Sequence, residues 1–397
     1  VHNQKVNDHL LVAPESKGVF VTSNSLPLRV AVIGVGGIAS GVHLPALAEM
    51  GDRVDLVALV DLDAARVDQV ASEWNVTGRY TDVSEMLATE HPDLVVVATP
   101  PIAHRDAVIA SLDAGASVWC EKPPTLSLAE YDEIAAHERE GGPYVSYVFQ
   151  HRFGSAAQQL RGQVRDGDLG RALVGVCNTL WFRGHDYYAV PWRGNWDTEG
   201  GGPTMGHGIH QMDLLLSLLG DWTEVTAVMA TLDRDVETED VSFAIVRFES
   251  GAHVSIVNSV LSPRETSYLR FDFSDATVEV EHLYGYGNSD WTWTPAPHVT
   301  DDARIASWQP DTDVPSSHAV QLRELLDSIE RGERPAASGA DGRRTMELVA
   351  GMYRSAITGS KVSRDDLLPT DPFFGAMNGG DATVARASMN VGTVANV

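Results

Sequence analysis

The chain has 397 residues, 43% hydrophobic and 21% charged, which fits a soluble globular protein and is too long for one compact core, so two domains are expected. Its 29 basic and 55 acidic side chains give a net charge of −26, which repels phosphate backbones and anionic lipid and argues against nucleic acid or membrane partners. Two cysteines, Cys120 and Cys177, exclude a disulfide framework and fit a reducing, cytoplasmic compartment, and no apolar run approaches the length of a membrane span.

Residues 1–27 lack a basic segment followed by an apolar one, so they read as an N-terminal extension and not as a secretory signal. From Leu28 to Val148 apolar strands and helices alternate. Strands are expected at Leu28–Ile33, Val54–Val60, Leu94–Val97 and Ala116–Cys120, with helices at Ile38–Met50, Ala64–Trp74, Val83–Glu90, Ala103–Ala114 and Leu126–Glu140. Such alternation predicts a parallel sheet covered on both faces. Beyond Gln150 the pattern changes. A helix at Ser155–Asp166 leads into a strand at Ala172–Phe182, an aromatic and polar loop, and a helix at Met205–Leu219. Alternating runs at Glu224–Thr231, Val241–Glu249, Ala252–Val260 and Ser267–Phe273 read as a mainly antiparallel sheet with one wet face. Helices near His318–Arg331 and Gly342–Thr358 follow, and residues 371–397 read as a C-terminal arm. The expected organisation is therefore α/β, with a parallel-sheet domain over 28–148 and a second domain with a mainly antiparallel sheet over 149–370.

Four motifs follow the four strands: Gly34-Val35-Gly36-Gly37-Ile38-Ala39, Asp61, Ala98-Thr99-Pro100 and Glu121-Lys122-Pro123. Ligands of open α/β sheets sit outside the carboxyl ends of the strands, so these motifs line one crevice. Gly34 permits a tight turn, Gly36 and Gly37 let backbone approach a pyrophosphate, and Ile38 and Ala39 open a helix whose N-terminus favours anions. Asp61 lies 22 residues beyond Ala39, where a carboxylate accepts from a ribose 2′-OH and repels a 2′-phosphate. Leu62 and Asp63 add no cation, so NAD is expected over NADP.

With these motifs, and with Trp192-Arg193 and the run Gly200-Gly201-Gly202-Pro203-Thr204-Met205-Gly206-His207-Gly208-Ile209-His210-Gln211-Met212-Asp213, the chain resembles the glucose–fructose oxidoreductase, inositol dehydrogenase and rhizopine-catabolism (Gfo/Idh/MocA) family. The likeness runs from about Leu28 to Pro372. It implies an NAD-binding Rossmann domain over 28–148, a substrate and assembly α/β domain with a large open sheet over 149–370, NAD(P)-linked oxidation of a sugar-like carbinol, and a homodimer or homotetramer formed through the large sheet. The family's lysine maps to Lys122 and its histidine to His210. Its dinucleotide contacts map to the glycine fingerprint, Asp61, Thr99 with Pro100, His104, and Glu121. One departure stands out: many members carry an aspartate four residues before the histidine, where this chain has Gly206.

Alcohol oxidation removes a hydride from carbon and a proton from oxygen. A neutral histidine suits the proton step near neutral pH, so His210 is the candidate base. Lys122 can hydrogen-bond the reacting oxygen and stabilise developing negative charge, or shuttle the proton. Trp192, Arg193, His207, Tyr187, Asp213 and Arg152 are the candidate substrate contacts, since aromatic faces beside polar groups suit a sugar ring. His207 and His210 make only two ligands, so no metal is expected. The leading function is an NAD-dependent dehydrogenase acting on a secondary hydroxyl of a sugar, inositol or glycoside. The alternatives are an enzyme that recycles bound NAD while cleaving or epimerising a glycoside, and a catalytically silent dinucleotide sensor.

Overall fold

The computed structural model describes residues 27–389; the expected extension, save its last residue, and the end of the C-terminal arm lie outside them. Six strands, β1 (Leu28–Ile33), β2 (Val54–Val60), β3 (Gly78–Tyr80), β4 (Leu94–Val97), β5 (Ser117–Cys120) and β6 (Val145–Tyr147), form a sheet in the order β3-β2-β1-β4-β5-β6. Every pairing is parallel. β4 is buried along its whole length, as expected of a strand with helices on both faces. The order reverses at β1 and β4, which opens the crevice at their carboxyl ends.

Local chemistry sets the helix starts. Asp63 accepts from the backbone of Ala65 and Arg66 to open Ala64–Trp74, and Asp82 accepts from Glu85 to open Val83–Glu90. Ser127 accepts from the Glu130 backbone, so the expected helix Leu126–Glu140 is confined to Leu128–His137. The stretch expected as a helix over Ile38–Met50 is wound wide as a π-helix over Ala39–His43, with Leu44 donating to Ala39, before tightening into Leu44–Glu49. Pro45, at the first turn of that second segment, has no N–H to give to the preceding turn.

A second sheet holds β7 (Ala172–Phe182), β8 (Trp222–Ala230), β9 (Val241–Phe248), β10 (His253–Ser259), β11 (Leu261–Phe273), β12 (Ala276–His282), β13 (Trp291–Pro295) and β14 (Val362–Ser363). Its order is β13-β12-β11-β7-β10-β9-β8-β14, antiparallel except for β10 beside β7. β11 is longer than expected: its register with β7 breaks between Leu261 and Thr266, around Pro263, so the alternation is legible only beyond that point. One face is covered by helices Ile209–Leu219 and Gly339–Thr358. The other exposes Val228, Phe243 and Ile245, with Val228 directly opposite Phe243 across β8 and β9.

Helix His318–Arg331 returns to the first sheet, where Ala319, Leu322, Leu325 and Leu326 share a core with Val30, Leu44 and Leu47. The C-terminal arm, as far as it is described, packs onto the body of the chain. Helices Pro372–Gly375 and Ala382–Met389 bury Phe373, Phe374, Ala385 and Met389 against the second core. Both cysteines are buried and unpaired. Among the described residues no helix is long and apolar enough to cross a membrane.

Candidate active site

The turn after β1 is a glycine necessity. Gly34 has φ +86°, and a Cβ there would lie 2.8 Å from the Ala98 backbone. Gly36 and Gly37 face open space, with nothing within 4 Å of a built Cβ, and Ile38 beside them is exposed while Ala39 is fully buried. Asp61 accepts from the Val35 N–H at 3.0 Å and the Asp63 N–H at 3.1 Å, which fixes its carboxylate beside the glycine turn. Arg66, one turn into the following helix, brings a guanidinium to 3.6 Å from Asp61, a cation the residues next to Asp61 did not foretell. Thr99 Oγ1 is buried without a hydrogen-bond partner, and Pro100 next to it is exposed. A polar atom left unsatisfied beside an open glycine turn fits a bound dinucleotide.

Glu121 and Lys122 leave the end of β5 in opposite directions. Glu121 turns inward, where Oε1 meets His43 Nε2 at 2.8 Å and His318 Nε2 at 3.8 Å. Burial opposes its charge, but His318 and His43 hold it well below the ordinary carboxylate range. The ligand atoms of the three residues lie within 4.8 Å of one another, and the His43 hydrogen bond makes the cluster a support for the loop. Lys122 turns toward the second domain and donates to the Gly206 carbonyl at 3.0 Å. Burial lowers its pKa, helped by Arg193 and Arg183 and opposed by Glu121 and Glu199.

The expected helix Met205–Leu219 is broken. A short turn, Pro203–Gly206, precedes the helix Ile209–Leu219. Between them a Cβ on Gly208 would lie 1.9 Å from Asn258 Oδ1, so only glycine lets the chain pass against β10. The Glu239 carboxylate fixes the preceding loop by accepting from the N–H groups of Gly202 and Thr204. His210 then enters at the first turn of the helix, 2% exposed and with Nδ1 unpartnered. Burial, with Lys122 and His151 nearby, keeps its pKa well below the ordinary value, so it is held neutral. His207 is likewise buried and neutral, with Nε2 3.4 Å from the Tyr187 hydroxyl. Arg193 hydrogen-bonds that hydroxyl, and its guanidinium lies 3.8 Å from the Tyr187 ring centre and 4.2 Å from that of Trp192.

Three expected contacts are placed otherwise. Arg152 and Asp213 form a buried ion pair, with each side chain 1% exposed, and Asp341 and Thr345 complete their hydrogen bonding. They lock the helix from below and do not face a ligand. The helix that carries Asp213 is buried nearly all round, so a polar residue on it need not face the crevice. His104 is fully buried, with Nδ1 on the Pro123 carbonyl and Nε2 on the Thr99 carbonyl, so it ties two crevice loops together and is not itself a dinucleotide contact. Sequence reasoning missed Glu199, His151 and Tyr284. The His151 and Tyr284 rings lie 5.5 Å and 5.6 Å from that of His210, and Glu199 approaches Arg193 at 3.4 Å. Only Glu199, directly before the glycine run, carried a signal.

A Rossmann sheet with a fixed carboxylate after β2, and a lysine that reaches the loop leading into a buried neutral histidine, defines a dinucleotide-dependent oxidoreductase. The comparisons agree. The model of an oxidoreductase family with an NAD-binding Rossmann fold matches residues 28–149, and that of the GFO/IDH/MocA C-terminal domain matches 157–280. The chain belongs to the Gfo/Idh/MocA family and binds NAD. It is 29% identical over 363 residues to a D-glucoside 3-dehydrogenase of Escherichia coli (strain K12), covering 85% of this chain and 98% of that one. It is 26% identical over 333 residues to a myo-inositol 2-dehydrogenase of Thermotoga maritima, covering 81% and 94%. Among solved structures it matches the WlbA dehydrogenase of Chromobacterium violaceum in complex with NADH and UDP-GlcNAcA, at TM-score 0.76 and 27% identity over 91% of this chain and 100% of that one.

Proposed function

We propose that this chain oxidises a secondary hydroxyl of a sugar, inositol or glycoside, with residues 28–148 holding NAD and residues 149–370 holding the substrate and forming the oligomer contact. One observation carries the reading: Lys122, from the end of β5, reaches the Gly206 carbonyl at 3.0 Å, so the dinucleotide crevice and the His210 loop share one mouth. The Gly34–Ala39 turn would take the pyrophosphate, Asp61 the adenosine ribose, and Thr99 and Pro100 would line the path to Lys122, while Glu121, the other expected contact, turns inward onto His43 and His318 and supports that loop from behind. Bound NAD supplies the hydride acceptor.

The protein's part is the proton. His210, kept neutral by burial, accepts the proton of the substrate hydroxyl as its carbon gives up hydride and becomes a carbonyl. Lys122 donates a hydrogen bond to the same oxygen and stabilises the negative charge that develops on it as the proton leaves for His210. Trp192, Arg193, Tyr187 and His207 present aromatic faces and donors to the sugar ring. The glucoside and inositol dehydrogenases among its relatives favour net oxidation over the recycling and silent-sensor readings. The exposed apolar strip of Val228, Phe243 and Ile245 supports a homodimer or homotetramer closed through the open sheet, and the unpaired cysteines suit the cytoplasm.

The test is NADH formation across monosaccharides, inositols and glycosides. Net NADH with at least one of them is expected. Tight NAD binding without turnover on any would overturn the reading.

A further inference from the structure

Position 206 is a glycine beside Lys122, and the space over it is faced by a carboxylate. A Cβ built on Gly206 meets one atom within 4 Å, the Oε1 of Glu199, at 3.6 Å. Glu199 ends the short helix Trp196–Glu199, comes from a different part of the loop, and is 5% exposed. Its Oε2 accepts from the Gly194 N–H at 2.6 Å, and Arg193 approaches Oε1 at 3.4 Å. Lys122 holds the carbonyl of the same Gly206.

We infer that Glu199 is the carboxylate of this site, seated over Gly206, and that it positions Lys122 and Arg193 for the oxidation proposed above. Glycine at 206 is then the complement of Glu199: two carboxylates facing each other across a buried space would repel, and one would be forced to protonate. The charges that act on Lys122 are Glu121, Arg193, Glu199 and Arg183. Those that act on Glu199 are Arg193 and Lys122, with the Gly194 N–H also favouring the carboxylate. Burial raises the Glu199 pKa while these three favour its ionised form. Through Arg193, which reaches the Tyr187 hydroxyl, Glu199 also sets the ring that faces His207.

This inference rests on the proposed active site but is tested separately from it, by the titration of Lys122 in the intact chain without substrate. The measurement is the pH dependence of Lys122 acylation by acetic anhydride, quantified by mass spectrometry. Glu199→Gln, close in size to the native residue, should lower the midpoint by roughly 1 pH unit, the scale set by losing one nearby opposite charge. Glu199→Ala combined with Gly206→Asp should move it back up, because the carboxylate is restored from the other side. With an accepted substrate, Glu199→Gln should lower kcat roughly 10- to 100-fold, the scale of losing one hydrogen bond to a charged group, and leave NAD affinity nearly unchanged. A Lys122 midpoint that does not move in Glu199→Gln would overturn the inference, because a merely structural glutamate would leave that titration alone. If Lys122→Ala abolishes turnover while Glu199→Gln leaves kcat and the midpoint unchanged, only this inference fails. Normal turnover in Lys122→Ala would instead remove the active site it rests on.

Discussion

Asp213→Asn separates a structural from a substrate-binding role at a residue where sequence and structure disagree. In the fold, Arg152 is 2% exposed and gives two hydrogen bonds to Asp213. Burial opposes the guanidinium charge, yet Asp213 and Asp341 hold Arg152 above its ordinary pKa, so it stays charged. Asp341 does not replace Asp213: its side chain is 31% exposed and is shared with Arg344 at 2.6 Å. Removing one partner of a buried pair leaves an uncompensated charge and costs about 3–5 kcal/mol. An amide keeps one acceptor, so the lower end, about 3 kcal/mol, applies. For a cooperative unit of this size that is a drop in Tm of roughly 6–12 °C. Thermal melts by circular dichroism read it directly, alongside KM for the accepted substrate. Arg152→Met combined with Asp213→Leu should recover much of the loss, because the charge is gone from both sides. A Tm within about 2 °C of the parent, together with a roughly tenfold rise in KM, would show that Asp213 faces the substrate after all.

Acid should destabilise the fold early. Burial lowers the pKa of His104, His151, His207, His210 and His318, with His151 lowered to about 3. Below the unfolded value of about 6.5 the unfolded chain takes up protons that the folded chain refuses. Stability is therefore full above that pH and falls as pH drops toward the folded values, by up to about 1.4 kcal/mol per pH unit for each histidine. A Tm that stays flat from about pH 7 to 5 would contradict it. Cofactor choice follows from Asp61 and Arg66: Asp61→Ser should narrow the preference for NAD over NADP and Arg66→Ala should widen it, read by tryptophan fluorescence titration, and tighter NADP binding by the parent would refute the assignment. Phe243→Glu should convert the expected oligomer into monomers by light scattering, and a monomeric parent at micromolar concentration would refute the sheet-mediated assembly.

The crevice was legible because parallel strands buried on both faces read as unbroken apolar runs, each ending in a motif whose chemistry is local: Gly34, Asp61, Thr99, Lys122. His210 came from the family resemblance, which places a histidine on the helix after the glycine run, and not from any local periodicity. What was hidden depends on distant partners. His43 and His318 meet around Glu121 from opposite ends of the chain, and no local spacing encodes that. Glu199 became meaningful only when the open space over Gly206 was seen to face it. Arg152 and Asp213 carry charges that sequence reasoning places at a site, whereas the fold neutralises them against each other. β12 and β13 alternate as well as the other strands, with Thr277, Glu279, Thr292 and Thr294 outward, but only seven and five residues long they were passed over in the sequence.

Turnover of Lys122→Ala and His210→Ala, measured as NADH formation beside NAD affinity by fluorescence, tests the central claim most directly. Each variant should lose roughly 10²–10⁴ in kcat, the scale of a positioned acid–base group, while binding NAD nearly as well as the parent, because the Gly34–Ala39 turn and Asp61 remain in place. Normal kcat in both variants would place the chemistry outside this crevice.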